Sequence, residues 1–61
     1  MAKVYYNLFN NIAVVIDDKA KTITTSKFNE LDVKGCALYP AKARRLKEVF
    51  RFYRNSGYAR A

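Results

Sequence analysis

The segment PAKARRLKEVFRFYRNSG, residues 40–57, carries six cations, one carboxylate and three aromatic residues within the length of one helix. Pro40 suits the first helical position, and Gly57, preceded by Asn55 and Ser56, suits a stop, so the segment predicts a helix over about 40–55. At ~100° per residue, Ala43, Leu46, Val49, Phe50 and Tyr53 share one arc, an apolar stripe that needs a surface to cover it. Arg44, Lys47, Arg51 and Arg54 recur at intervals of three, four and three and line a neighbouring arc as a basic ridge. Phe52 projects elsewhere, on the arc of Ala41, Arg45 and Glu48, where the helix alone offers it no core.

The covering surface is predicted upstream. KVYYNL (3–8), IAVVI (12–16) and TITT (22–25) are rich in aromatic and β-branched residues, and short polar connections separate them. They read as three antiparallel strands. In the first hairpin a two-residue loop at Asn10–Asn11 would set Tyr5 beside Ile16 and Val4 beside Asp17, mixing polarity on both faces. A three-residue loop with Asn11 left-handed pairs Val4 with Ile16, Tyr6 with Val14 and Leu8 with Ile12 as the core face. Placing Ile23 opposite Ile16 extends that face. It leaves Tyr5, Thr22 and Thr24 on a second, polar face open to water or a partner.

Beyond the third strand, Ser26 is able to cap a single turn, KFNEL, whose Phe28 and Leu31 fold back on the sheet. Cys36 to Tyr39 reads as extended, because the residue before Pro40 is pushed out of helical geometry, and could add a short edge strand. The tail, Tyr58–Ala61, reads as flexible. The expected fold is therefore α+β: a three-stranded antiparallel meander, with room for a short fourth strand, packed against one C-terminal helix. No linker, repeat or low-complexity tract divides the 61 residues, so we expect a single domain over 1–61. A chain this short has a small core and gains stability readily by pairing, so a homodimer is compatible with it.

Composition narrows the function classes. Cys36 is the sole cysteine and there is no histidine, which excludes an internal disulfide and leaves no donor set for a zinc site. No serine or cysteine stands next to a plausible base, and no glycine-rich phosphate loop is present. Asp17 and Asp18 are adjacent and read as turn residues. Neither a catalytic residue, a metal nor a cofactor is implied, and we expect no enzyme. No apolar run approaches the ~20 residues of a membrane span, so the expectation is a soluble, cytoplasmic protein without a membrane partner.

Charge is the most informative feature. Residues 1–33 balance four lysines against four acids, whereas residues 34–61 hold eight cations against Glu48 alone, so the net +7 resides in the second part. Such segregation points to nucleic acid or another polyanion. Arg51 and Arg54 also complement the helix dipole, but Lys42, Arg44 and Arg45 near its start do not. The sequence thus predicts a small non-catalytic nucleic-acid-binding module or regulator. Its phosphate contacts would come from Arg44, Lys47, Arg51 and Arg54, with Arg45 and Lys42 flanking and Phe52 or Tyr5 stacking on bases. The sequence does not separate DNA from RNA. A different class fits the same residues: a small inhibitor or adaptor, of the kind viruses encode as accessory proteins, that binds an acidic surface of a larger protein with Phe52 as anchor.

Overall fold

The three β-rich segments form the expected meander in the computed structural model, which describes residues 2–61: β1 (Ala2–Asn7), β2 (Ile12–Asp17) and β3 (Thr22–Ser26). Two more strands widen it. β4 (Ala37–Pro40) lies parallel to β1, and β5 (Ala59–Arg60) lies parallel to β3, giving a five-stranded mixed sheet in the order β4-β1-β2-β3-β5. One helix, α1 (Ala43–Asn55), packs against it, so the architecture is α+β. The short edge strand for which the sequence left room at Cys36 to Tyr39 is present over Ala37–Pro40, parallel to β1, and the tail expected to be flexible is the fifth.

The helix starts at Ala43, three residues after Pro40, because Pro40 ends β4 opposite Tyr6. An edge position tolerates a residue without an N–H. Lys42 precedes the helix in extended geometry and supplies no side-chain cap. The Ala41 N–H then bonds the Tyr6 carbonyl at 2.8 Å, anchoring the helix entry at the C-terminal end of β1. Tyr53 reaches Lys3 at the opposite end, 3.5 Å from hydroxyl to Nζ, so the helix runs antiparallel to β1. Gly57, at φ 98°, terminates it as expected. The Tyr58 N–H bonds the Tyr53 carbonyl at 3.0 Å and the Gly57 N–H bonds the Arg54 carbonyl at 3.1 Å, a left-handed cap that turns the chain into β5. There the Ala59 and Ala61 N–H groups bond the carbonyls of Lys21 and Ile23, each at 2.9 Å.

The register of the first hairpin differs from the expected one by a single residue. Val4 lies opposite Val15, Tyr5 opposite Val14 and Tyr6 opposite Ala13, because the connecting loop spans four residues, Leu8–Asn11. The Asn7 side-chain oxygen accepts the Asn10 N–H at 2.8 Å and holds the longer turn. Asn11 is left-handed as expected, with φ 52°, but at the fourth loop position rather than the third. The second hairpin repeats the device: Asp17 accepts the Lys19 and Ala20 N–H groups, both at 3.0 Å, and Lys21 closes the loop at φ 56°. Here the predicted pairing of Ile16 with Ile23 is found.

The shift exchanges the faces of β1. Val14, Ile16 and Ile23 form the core with Leu46 and Val49, and Tyr5, Phe50, Tyr53 and Tyr58 pack around it. Val4 and Tyr6 point to the other side. That side is not open: Val4 and Ala13 are 1% and 0% exposed, and Phe28 stacks on Tyr6 with centroids 4.6 Å apart. Phe28 belongs to a single 3-10 turn, Phe28–Glu30, preceded by Lys27 rather than capped by Ser26. Ser26 ends β3, and its buried hydroxyl has no hydrogen-bond partner among the described residues. The turn is tied instead to the first hairpin loop, where Asn11 accepts the Phe28 N–H on its carbonyl at 3.2 Å and the Asn29 N–H on its side chain at 2.9 Å.

A second apolar layer implies that Phe28→Ala destabilises the fold by about 2 kcal/mol, less than the roughly 3–5 kcal/mol of a fully enclosed ring. Urea unfolding measures it, and a loss under ~0.5 kcal/mol, the range of an ordinary surface change, would contradict the two-layer arrangement.

Candidate functional site

The ridge forms on α1 because the helical repeat separates it from the buried stripe. Leu46 and Val49 are buried, whereas Arg44, Lys47, Arg51 and Arg54 are all exposed along one flank. None of the four has a carboxylate within ion-pair distance among the described residues. Arg45 stands on the opposite flank with Glu48, at 3.7 Å and largely in water, a pair of little energetic weight. Like charges one turn apart repel by a few tenths of a kcal/mol per pair, so the ridge is a small but standing cost to the helix.

The other residues picked out from the sequence are not gathered onto that flank. Phe52 is 64% exposed beside Arg45 and Glu48, with its ring edge-on to Tyr53 at 5.2 Å. Lys42 lies ahead of the helix, beside Tyr6, Leu8 and Pro40 in a shallow depression at the end of β1. Tyr5 faces the helix rather than an open face, stacked on Tyr39 at 5.0 Å. Burial foremost raises its phenol above the ordinary 10.0. The ridge therefore stands without the two aromatic partners expected for it.

What lies beside the ridge is a groove. It measures about 610 Å³ and runs between α1 and the strands β2 and β3. Ile12, Val14, Leu46 and Phe50 make its apolar floor, with the small residues Thr25 and Ala43 at its sides. Lys47, Arg51 and Arg54 form its rim. β5 pairs with Thr22 and Ile23, so the groove lies at the other end of β3, beside Thr25. Ile12 remains 43% exposed there. Arg60 reaches back from β5 to Phe50, its guanidinium 5.7 Å from the ring centre, and adds a further cation. The sequence signal for the groove is the pair of small side chains, Thr25 and Ala43, at positions turned toward the helix–sheet interface. It is readable from the β2–β3 register, in which Ile16 lies opposite Ile23 and Val14 opposite Thr25.

A polar cluster fixes the far end of the helix. Tyr58 donates its hydroxyl hydrogen to Asp18 at 2.6 Å, and Lys3 pairs with the other Asp18 oxygen at 3.3 Å. Tyr53 and Tyr58 meet edge to face at 5.0 Å, and the Lys3 and Lys21 ammonium groups lie over their rings at 5.9 and 5.5 Å. The Tyr58 hydrogen bond, with Lys3 beside it, holds the Asp18 carboxyl below its ordinary 3.8. The same contact raises the Tyr58 phenol above 10.0, and Asp18 raises Lys3. By joining β1, the second hairpin loop, α1 and β5, this cluster sets where Arg54 and Arg60 stand.

No family model matches the sequence, and neither a curated protein nor a solved structure matches it. Among the described residues, no helix is long and apolar enough to cross a membrane.

Because the folded-state value of Asp18 is depressed, its stabilising contribution is complete above the ordinary 3.8 and is lost as pH falls through the lower folded value. Asp18→Asn should therefore melt below the wild-type protein at pH 7, with the gap narrowing in acid. A gap that stays constant down to pH ~2, below the usual carboxylate range, would show that Asp18 does not hold the cluster.

Proposed function

We propose that the protein is a small, non-catalytic nucleic-acid-binding module that grips the phosphate backbone along Arg44, Lys47, Arg51 and Arg54. The observation that carries this reading is a flank of exposed cations recurring at every helical turn with no carboxylate partner among the described residues. Arg54 lies ten positions after Arg44. That is ~15 Å of helix, against one phosphate per ~3.4 Å along each strand of a duplex, so several phosphates lie within reach. Three of the four cations are arginines, whose planar fork suits two-point contact with phosphate. The ridge addresses the backbone shared by DNA and RNA and includes no side chain that reads bases, so binding is to be weakly selective for sequence.

The alternative, docking on an acidic protein surface, draws support from apolar residues away from the ridge. Phe9 at the tip of the first hairpin is 96% exposed and Phe52 is 64% exposed. That reading makes Phe52, rather than the arginines, the source of most affinity.

In the nucleic-acid reading, replacing Arg44 and Arg51 together by Ala leaves stability within ~0.5 kcal/mol, as at other exposed positions. It flattens the slope of log affinity against log salt by about 0.9 for each duplex phosphate that is no longer neutralised. Unchanged affinity and slope in the double variant would reduce the ridge to a solvated face. Loss of binding on Phe52→Ala with an unaltered salt slope would favour the protein partner.

A further inference from the structure

We infer that the groove beside the ridge seats unpaired bases, so that the ligand is a single strand of nucleic acid rather than a duplex. This rests on the phosphate-binding reading and extends it to the ligand class. Lys47, Arg51 and Arg54 belong to both features: they line the exposed flank of α1 and form the groove rim. A strand whose phosphates sit on them directs its bases either outward into water or inward over Ile12, Val14, Leu46 and Phe50. The inward side is apolar and partly uncovered, and burying base faces there removes apolar surface from water.

A duplex gains nothing from that floor, because its base faces are stacked inside and only polar edges line its grooves. A single strand has free base faces and stacks them on apolar and aromatic walls with little regard to sequence. The volume of about 610 Å³ falls in the ~300–1,000 Å³ range of small-molecule sites, enough for a base with its sugar. Charge agrees with this occupant. The charged residues that line it, Lys47, Arg51 and Arg54, are all basic, and Arg60 on Phe50 adds a cation from β5. Among the described residues, no Asp or Glu lines the groove to repel a phosphate.

Fluorescence anisotropy at ~50 mM salt, where phosphate contacts are strong, tests this with three probes of about 12 units, within the footprint of known single-strand modules. They are oligothymidylate, an abasic strand with the same phosphates, and a duplex. We expect oligothymidylate to bind about tenfold or more tighter than the abasic strand, given what one stacked base contributes, and tighter than the duplex. Thr25→Gln, which puts a longer, neutral polar side chain over the apolar floor, should weaken thymidylate binding more than abasic binding. Equal binding of thymidylate and abasic strands, or preference for the duplex, overturns the groove assignment while phosphate binding stands. Absence of binding to all three probes overturns both. An acidic amphipathic peptide that binds when no strand does would assign the groove to a protein partner and also overturn both.

Discussion

Leu46 and Val49 are the only helix residues driven fully into the sheet, against Val14, Ile16 and Ile23, and the rest of the arrangement depends on that strip. Each side chain contributes ~1.5–3 kcal/mol on burial, a large share of what a domain this size can accumulate. The strip fixes the rotation of α1 about its axis. Once it is fixed, the helical repeat assigns every other residue: Arg44, Lys47, Arg51 and Arg54 to one flank, Arg45 and Phe52 to the other. α1 lies against β1, β2 and β3, with β4 and β5 at the opposite edges of the sheet.

The edges are where fold and site meet. β5 pairs with only the first half of β3, held by the capped helix end and by the Tyr58 hydrogen bond to Asp18. Thr25, at the other end of β3 from this pairing, lines the groove. Arg60 stands over Phe50, which lines the groove. The left-handed turn at Gly57 carries the chain from α1 into β5 and so places Arg60 there.

Helix features were legible in the sequence because they are local. The buried arc, the exposed ridge and the Gly57 stop follow from spacing within a few turns, and the Ile16–Ile23 pairing follows from a β3 segment with a single apolar residue. The β1 register was not legible. Val4, Tyr5 and Tyr6 are all apolar or aromatic, so alternation does not choose a face, and the structure covers both. The choice falls to the hydrogen bond between Asn7 and the Asn10 N–H, which lengthens the loop by one residue and turns Tyr5 toward the helix. The parallel strands escaped for a different reason. β4 meets β1, and β5 meets β3, across more than thirty residues of chain, and such pairings leave no short-range pattern.

If one flank of α1 and the adjoining β2–β3 surface form a binding face separate from the packing that holds the fold, ligand should register on that face alone. Heteronuclear NMR titration of the protein with a single-stranded oligonucleotide reads this residue by residue. Perturbations are expected to concentrate at Ile12, Val14 and Thr25 and at Arg44, Lys47, Arg51 and Arg54, while Val4, Tyr6 and Phe28 on the far side of the sheet stay unmoved. Perturbations centred instead on Tyr6 and Phe28, or on the Phe9 tip and Phe52, with the ridge silent, would contradict a separate binding face on α1.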